Sequence, residues 1–366
     1  MANYKTDSRI VLTLDAGGTN MVFGAMRGGE FIVNPLTLPS NAHNLDLCLN
    51  TMVTGFKSVI DKLEERPAAI SFAFPGPADY PNGIIGGYLP NFPSFRDGVA
   101  LGPFLEMKFG IPVFINNDGN LFAYGEAMVG ALPRINEALA AAGSQKRYRN
   151  LLGVTFGTGF GCGVVINGEL LMGDNAAGGD VWCFRNSLLP EYIVEESVSI
   201  RAVKRVYREL SGDDTELTPR DICDIARGTR PGDMRAARES FARMGRAAGD
   251  ALAQAATIVD GIIVLGGGLT GAAEFFVPAI LEEMGSSLKM MDGTSFCRMQ
   301  TEVVNLDDEA CLRRFLTGGG TPLRVYGSDK VVMYDSRKQI GLTVSRLGAS
   351  RAISAGAYVY ALNHIG

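Results

Sequence analysis

The sequence predicts a two-domain α/β protein, and three observations support this prediction. The chain has 366 residues, whereas a globular domain usually has about 100–200. Short apolar, β-branched runs alternate with segments whose apolar residues recur at helical spacing, which is typical of sheets flanked by helices. A strand that runs into a Gly/Thr turn and a second strand occurs twice, from residue 9 and from residue 151. This weak internal symmetry indicates two related α/β domains that face one another across a cleft.

The order of elements follows from apolar periodicity and from turn residues. In the first part we expect strands at 9–14, 21–26, 69–74 and 113–116, and helices at 45–63, 101–109 and from 117 to about 129. In the second part we expect strands at 151–156, 164–166, 169–172, 261–265 and 330–334, and helices at 197–210, 218–227, 235–259 and 350–364. The stretch 305–343 is otherwise hard to assign, and its glycines 318–320 fit a flexible turn. We place the N-terminal domain at 1–116 and the larger C-terminal domain at 117–349, with the last helix, about 350–366, packing back on the first domain.

Composition and charge narrow the class of protein. Hydrophobic residues make up 46% and charged residues 20% of the chain, which is an ordinary globular balance. The net charge of −5 disfavours nucleic acid and anionic membranes as partners. The six cysteines form no C-x-x-C pair, which argues against a zinc site and against a disulfide framework. No long apolar run precedes the first strand or could span a membrane, so we expect a cytoplasmic protein.

The first candidate site is the turn Asp15-Ala16-Gly17-Gly18-Thr19. Glycines let the backbone N–H groups approach a phosphate closely. The Thr19 hydroxyl can add a donor, and the Asp15 carboxylate can hold Mg²⁺ directly or through water. A plain hairpin turn would favour the same residue types, so both interpretations stay open for this motif alone.

Two further glycine motifs follow predicted strands. Gly157-Thr158-Gly159-Phe160-Gly161 matches neither the G-x-x-x-x-G-K-[ST] loop nor the G-x-G-x-x-G fingerprint, yet its Gly-Thr-Gly core at a strand end favours phosphate contact. Gly266-Gly267-Gly268 lies between an apolar strand and a helix. A nucleotide base or ribose could rest on this bare backbone, and a tight strand-to-helix turn would account for it equally well.

The pair Asn117-Asp118 lies where a predicted strand gives way to a helix. Asp at this position is often only an N-cap. Beside two phosphate-binding turns, however, a carboxylate could accept the proton of a sugar hydroxyl as that oxygen attacks the γ-phosphoryl group of ATP. Asp118 is therefore the candidate catalytic base.

These motifs, in this order, resemble the actin-like ATPase superfold and, more closely, the ROK family of repressors and sugar kinases. The resembling segments are LDAGGTN (14–20), INNDGNLFAYGEA (115–127), FGTGFGCGVVINGEL (156–170), IVLGGGL (263–269) and SAGAYVYAL (354–362). The resemblance implies two phosphate loops, an adenosine contact, a catalytic base and several sugar contacts, with ATP and Mg²⁺ as cofactors and a homodimer as the assembly. By position, the first phosphate loop is formed by Asp15, Gly17, Gly18 and Thr19, and the second by Gly157, Thr158 and Gly159. The adenosine contact is the run Gly266, Gly267 and Gly268, and the catalytic base is Asp118. The implied sugar contacts are Asn91, Asn117 and Glu195.

The chain departs from the family pattern at the sugar site. Family sugar kinases usually carry Glu-x-Gly-His where this chain reads Asp180-Val181-Trp182-Cys183. Asp180 could replace the Glu with a shorter reach, but Cys183 cannot replace the His as a hydrogen-bond donor. We expect Trp182 to lie in the core. The family's cysteine-rich zinc motif is also missing.

Three functional hypotheses remain. The leading one is ATP-dependent phosphorylation of a sugar hydroxyl, with a glucose-like hexose favoured. The alternative is a degenerate ROK-type sugar-binding regulator without kinase activity, which the lost Glu-x-Gly-His signature would fit and the retained Asp15 and Asp118 would not. An actin-like ATPase or acid-sugar kinase of another branch would share the phosphate loops but not the sugar contacts.

Overall fold

The computed structural model describes residues 4–317 and 320–365, so two of the three glycines at 318–320 lie outside the described residues. The chain forms two compact units. The first contains the chain up to residue 130, residues 169–179 and the chain from residue 347, and the second contains residues 131–168 and 180–346. The division falls after Gly130 rather than at residue 117, because the helix Asp118–Met128 packs against the terminal helix Ala349–His364.

The first unit combines a mixed sheet with four α-helices in its described residues. Its strands are Val11–Ala16, Asn20–Arg27, Glu30–Phe31, Leu36–Pro39, Ala69–Ala73, Ala78–Asp79, Ile84–Ile85, Val99–Ala100, Val113–Asn116 and Glu169–Leu170. Its α-helices are Leu45–Ile60, Leu101–Phe109, Asp118–Met128 and Ala349–His364, and its 3₁₀ helices are Tyr4–Thr6 and Pro93–Phe95.

The second unit repeats this combination on a larger scale. Its strands are Leu151–Phe156, Phe160–Ile166, Ile262–Gly266, Ser287–Lys289, Ser295–Cys297, Glu302–Asn305, Thr321–Arg324, Val331–Tyr334 and Gln339–Val344. Its α-helices are Ala131–Ala141, Ile200–Ser211, Pro219–Arg227, Met234–Val259, Ala273–Met284 and Glu309–Leu316, and its 3₁₀ helices are Val181–Cys183, Val194–Glu196 and Gly268–Ala272.

The two main sheets share one order of strands. In the first unit, Val11–Ala16 pairs antiparallel with Asn20–Arg27 and parallel with Ala69–Ala73, which pairs parallel with Val113–Asn116. In the second unit, Leu151–Phe156 pairs antiparallel with the strand after it and parallel with the strand Ile262–Gly266. The carboxyl ends of parallel strands meet at one edge of a sheet, which is where open α/β sheets bind ligands. The candidate motifs follow these strand ends.

An aromatic core supports the sheet of the first unit. Phe56, on the helix Leu45–Ile60, contacts Phe23 and Phe72 of the sheet, with ring centroids 5.2 and 6.2 Å apart. All three side chains are fully buried. Burial of a Phe side chain contributes roughly 1.5–3 kcal/mol, so this cluster holds the helix on the strand that follows the first glycine turn and on the strand Ala69–Ala73.

Sequence periodicity located the long elements and missed several short ones. The helix Ala131–Ala141 lies between the predicted helix that ends near residue 129 and the predicted strand at 151–156, and it was not predicted. The stretch 305–343 contains the predicted strand, here Val331–Tyr334, together with the helix Glu309–Leu316 and the strands Thr321–Arg324 and Gln339–Val344. No helix in the described part of the chain is both long and apolar enough to cross a membrane.

Candidate functional site

In the turn after the first strand, the carbonyl groups of Gly18 and Thr19 accept hydrogen bonds, whereas two N–H groups donate to no acceptor among the described residues. The Ser40 hydroxyl donates to the Gly18 carbonyl, and the Ser40 N–H donates to the Thr19 carbonyl at 2.9 Å. The Gly17 N–H closes the turn on the Asn20 carbonyl at 3.0 Å. Within residues 4–317 and 320–365, no hydrogen bond uses the N–H of Gly18 or Thr19. A turn with free, neighbouring N–H groups is suited to bind an anion.

Asn91 and Asp15 flank this turn. A Cβ built on Gly18 would lie 3.1 Å from the Asn91 carbonyl oxygen, so only a glycine fits easily against this loop. The Asp15 side chain is exposed, and it makes no hydrogen bond to another described residue. Asp15 pairs in register with Ala73, and Ala73 pairs with Asn116. The turn, Asp15 and the segment after Asn116 therefore meet at one edge of the sheet.

Asn117 and Asp118 lie at the start of the helix Asp118–Met128. The Asn117 side chain is the N-cap and accepts the Asn120 N–H at 2.6 Å. Because Asn117 caps the helix, Asp118 is not needed for that role. One Asp118 carboxylate oxygen accepts the neighbouring Gly119 N–H at 2.9 Å. The rest of this exposed carboxylate stays available to a ligand.

The surroundings of Asp118 favour its protonated form. Protein atoms crowd the carboxylate and displace water, which raises its pKa above the ordinary value, even though the residue keeps an exposed surface. The hydrogen bond from Gly119 acts in the opposite direction, and the negative charge of Asp15 raises the pKa further. A carboxylate with a raised pKa is a better proton acceptor near neutral pH than an ordinary aspartate.

The second glycine turn repeats the arrangement of the first. The Ile200 N–H donates to the Gly157 carbonyl at 2.8 Å, and the Arg201 guanidinium donates to the Thr158 carbonyl at 3.1 Å. In the part of the chain that the structure describes, the N–H groups of Thr158 and Gly159 take part in no hydrogen bond. The start of the helix Ile200–Ser211 thus holds the carbonyl groups and leaves two donors free.

Glu195 is part of the support of this turn. One carboxylate oxygen accepts the Phe160 N–H at 3.0 Å, and the other forms an ion pair with Arg201 at 2.9 Å. A Cβ on Gly159 would lie 2.5 Å from Glu195. Arg201 also pairs with Glu196 at 2.7 Å, which lowers the pKa of Glu196. Arg201, which lies six residues after Glu195 in the first turn of the helix Ile200–Ser211, was not identified from the sequence.

The third glycine run lies beside the second turn. Thr155 pairs in register with Gly266 on the parallel strand, and Gly267 has a φ of 90°. A Cβ on Gly267 would collide with the Phe156 backbone, so this glycine is needed for folding. Gly157 and Gly268 differ, because a Cβ on either would meet no atom within 4 Å. Packing does not require glycine at these two positions, because the space beside them is empty. A nucleotide therefore has room to approach the backbone there.

The remaining predicted residues are on the 3₁₀ segment after residue 179. Asp180 is exposed, and its carbonyl accepts the Cys183 thiol at 2.9 Å. The expectation that Trp182 lies in the core is wrong, since 41% of its surface is exposed. Its neighbour Val181 fills the buried position of this turn instead.

The predicted residues thus form two groups. The first unit brings together the turn of residues 17–19, Asp15, Asn91, Asn117 and Asp118. The second unit brings together the turn of residues 157–159, the run of residues 266–268 and Glu195, with Asp180 nearby in sequence. The described residues contain no cluster of three or more His, Cys, Asp or Glu side chains that could hold a metal. The unpartnered Asp15 carboxylate fits a different kind of site, because Mg²⁺ is usually held by one or two carboxylates together with water and phosphate oxygens.

Comparison with known proteins finds the ROK family and several glucokinases. A family model described as the ROK family matches residues 11–312. A glucokinase of known structure from Parabacteroides distasonis is 59% identical, with a TM-score of 0.91 over 100% of both chains. A glucokinase from Thermotoga maritima is 27% identical over 75% of this chain and 86% of that protein. A ROK family glucokinase from Streptomyces griseus, solved with glucose and AMPPNP, is 19% identical and has a TM-score of 0.61 over 96% of this chain and 98% of its own.

Proposed function

This chain belongs to the ROK family and has the mixed α/β fold of the actin-like ATPases, and from this premise we propose that it transfers the γ-phosphoryl group of ATP to a hydroxyl group of a hexose. The family and fold predicted from the sequence are confirmed. The assignment as a sugar kinase is supported by full-length identity of 59% to a glucokinase. The same similarity favours a glucose-like hexose as the acceptor.

One observation carries the proposal. Two glycine turns each present two unused N–H groups, and an exposed carboxylate with a raised pKa lies at the same sheet edge as the first turn. Phosphoryl transfer needs donors for the phosphate oxygens and one group that accepts the proton of the attacking hydroxyl. The N–H groups of Gly18 and Thr19 are the candidate donors in the first unit, and those of Thr158 and Gly159 are the candidate donors in the second.

In the mechanism that we propose, Asp118 accepts the proton of the sugar hydroxyl. Asn117 caps the helix that begins at Asp118, and the Gly119 N–H donates to one oxygen of the Asp118 carboxylate. Mg²⁺, when bound at Asp15, would neutralise charge on the phosphate oxygens. The proposed sugar contacts are Asn91 and Asn117 in the first unit and Asp180 and Glu195 in the second. The Glu195 carboxylate also accepts hydrogen bonds from Arg201 and from the Phe160 N–H, so a sugar would share it with them.

The test is the Asp118→Asn variant. We expect kcat to fall by about 10²–10⁴-fold, which is the usual contribution of a general base, while the affinity for ATP stays near that of the wild type. ADP release coupled to a second enzyme, measured across a panel of hexoses, gives kcat, and titration calorimetry gives the ATP affinity. Asp61→Asn is the matched control, because Asp61 is an exposed aspartate at the end of the helix Leu45–Ile60.

Two results would contradict the proposal. Normal turnover by Asp118→Asn would show that another group is the base. Tight sugar binding by the wild type, without ADP release for any hexose, would favour the sugar-binding regulator instead.

A further inference from the structure

The exposed apolar side chains of this protein are concentrated in one part of the chain. Of the exposed large apolar residues in the described part, eleven lie between residues 288 and 334. They belong to two hairpins, formed by Ser287–Lys289 with Ser295–Cys297 and by Thr321–Arg324 with Val331–Tyr334. An apolar surface of this extent usually marks an interaction site.

The hairpin 321–334 is apolar on both faces. Directly opposite residues of an antiparallel pair lie on the same face. One face therefore carries Leu323 with Val332 and also Tyr334, and the other carries Pro322 with Met333 and also Val331. Every residue of both strands is exposed. A hairpin that belonged to a monomer surface would be expected to have one polar face.

The body of the second unit supports this hairpin only at its base. Within the described residues, every hydrogen bond made by residues 321–334 stays inside the hairpin. At the base, the Arg337 guanidinium donates to the Thr317 carbonyl at 2.8 Å and pairs with Asp335 at 3.1 Å. A single two-stranded hairpin is marginally stable in water. The exposed strands therefore need a surface to pack against.

The free edge of Val331–Tyr334 indicates what that surface is. Proteins usually protect edge strands with charges or proline. The opposite strand, Thr321–Arg324, carries both Pro322 and Arg324, whereas Val331–Tyr334 has neither a charge nor a proline. Two copies of an uncharged strand can pair antiparallel about a two-fold axis, and such an interface is self-complementary. We infer that the hairpin 321–334 is a dimerisation arm that packs against the same hairpin of a second copy of this chain.

The size of the surface agrees with a stable dimer. The hairpin exposes seven large apolar side chains, among them Tyr326 and Met333, which are 103% and 68% exposed. If each contributes on the order of 100 Å², the arm exposes about 700 Å² of apolar side chain, counted over both faces and the turn. A standard interface buries about 800 Å² on each partner. The second hairpin, with Leu288 and Phe296 opposite one another on one face, could supply the remainder.

The first test introduces charge on one face of the arm. Val331→Lys combined with Met333→Lys places two like charges per copy at the proposed contact, where they would repel their symmetry mates. Size-exclusion chromatography with light scattering should give twice the chain mass for the wild type and the single chain mass for the variant. The matched control is Met107→Lys with Ile258→Lys, since these two residues are 71% and 84% exposed elsewhere, and it should remain dimeric.

A second measurement needs no variant. Hydrogen exchange at the amides of residues 331–334 of the wild type should slow as protein concentration rises, because pairing satisfies the free edge. A monomeric wild type, an arm variant that stays dimeric or exchange independent of concentration would each overturn the inference. These readouts do not depend on catalysis, so a failure of the proposed kinase activity would leave them unaffected.

Discussion

Asn117 and Asp118 divide two tasks that one residue often combines. Aspartate is a good N-cap, and a capping carboxylate is occupied by the backbone N–H groups that it accepts. Here the amide of Asn117 takes the cap, and Asp118 makes a single hydrogen bond to Gly119. The sequence showed that a cap or a base was possible at this point. It could not show which of the two residues caps the helix and which is free to act as the base, because either polar side chain can reach the third residue of the helix.

The raised pKa of Asp118 leads to a prediction about pH. A carboxylate accepts protons only above its pKa, so we expect kcat/KM for the sugar to fall at acid pH with a midpoint above the ~3.9 of an ordinary aspartate. The charge of Asp15 contributes to the rise. In Asp15→Asn, the titration of Asp118, followed by NMR of carboxyl-labelled protein, should therefore shift to lower pH. An unchanged or upward shift would show that the two carboxylates do not interact, and Asp61→Asn is the control that should cause no shift.

Gly268 allows a test of nucleotide binding at a single residue. A Cβ at this position meets no protein atom, so Gly268→Ala should change the free energy of unfolding by less than about 0.5 kcal/mol. If adenosine lies against this backbone, the added methyl group should raise the KM for ATP. Urea unfolding and steady-state kinetics measure the two effects. An unchanged KM for ATP would show that adenosine does not lie against the third glycine run.

The residues that support the second turn illustrate the limit of prediction from the sequence. Gly157, Thr158 and Gly159 were identifiable because glycine weakens a strand, so its repetition at a strand end indicates a place where a ligand or another backbone comes close. Arg201 was not, since one arginine in a helix with many charged residues carries no distinctive signal. Its contact with the Thr158 carbonyl spans 43 residues of sequence, and only the tertiary structure shows it.

At the scale of elements, the helix that begins at the candidate base makes a close contact with the terminal helix. Gly125 of the helix Asp118–Met128 and Gly356 of the helix Ala349–His364 face each other's backbones. A Cβ on Gly125 would collide with the Ala352 carbonyl, and one on Gly356 would collide with the Leu121 carbonyl. Two glycines therefore let the helices approach more closely than side chains would permit.

This contact predicts a stability effect. Gly356→Ala should lower the free energy of unfolding by at least about 1–3 kcal/mol, because the helices must separate to admit the methyl group. The loss should exceed any gain in helix propensity, which is ~1 kcal/mol for Gly to Ala. Urea unfolding checks this, with Gly268→Ala as the control in which the methyl group enters open space. A variant as stable as the wild type would show that the helices are less tightly packed.

The sequence predicted the long elements well and the short ones poorly, for a physical reason. The helices that bury one face, such as Met234–Val259, leave a periodic apolar pattern. In the hairpin 321–334, the apolar run of Val331–Tyr334 predicted a strand, whereas Thr321–Arg324, which contains Pro322, was not predicted. The helix Ala131–Ala141 buries Leu132, Ile135 and Leu139 at helical spacing, and this short pattern was missed beside Pro133 and the small residues around it.

At the scale of the whole molecule, the internal symmetry seen in the sequence corresponds to a shared strand order in the two sheets. Each sheet begins with a hairpin whose turn is a candidate phosphate loop, followed by parallel strands. The boundary between the units was harder to predict. Composition does not change at residue 130, and the first unit is built from three separate stretches of chain.

Because the first unit is built from three separate stretches of chain, its order of synthesis limits when a newly made chain can complete its folding. The helix carrying Asp118 leaves the ribosome long before the helix Ala349–His364, against which it packs. During translation the first unit thus remains unfinished while the entire second unit emerges. A nascent chain that stalls before residue 349 would carry every residue of the candidate site and still lack the helix that holds the base in place.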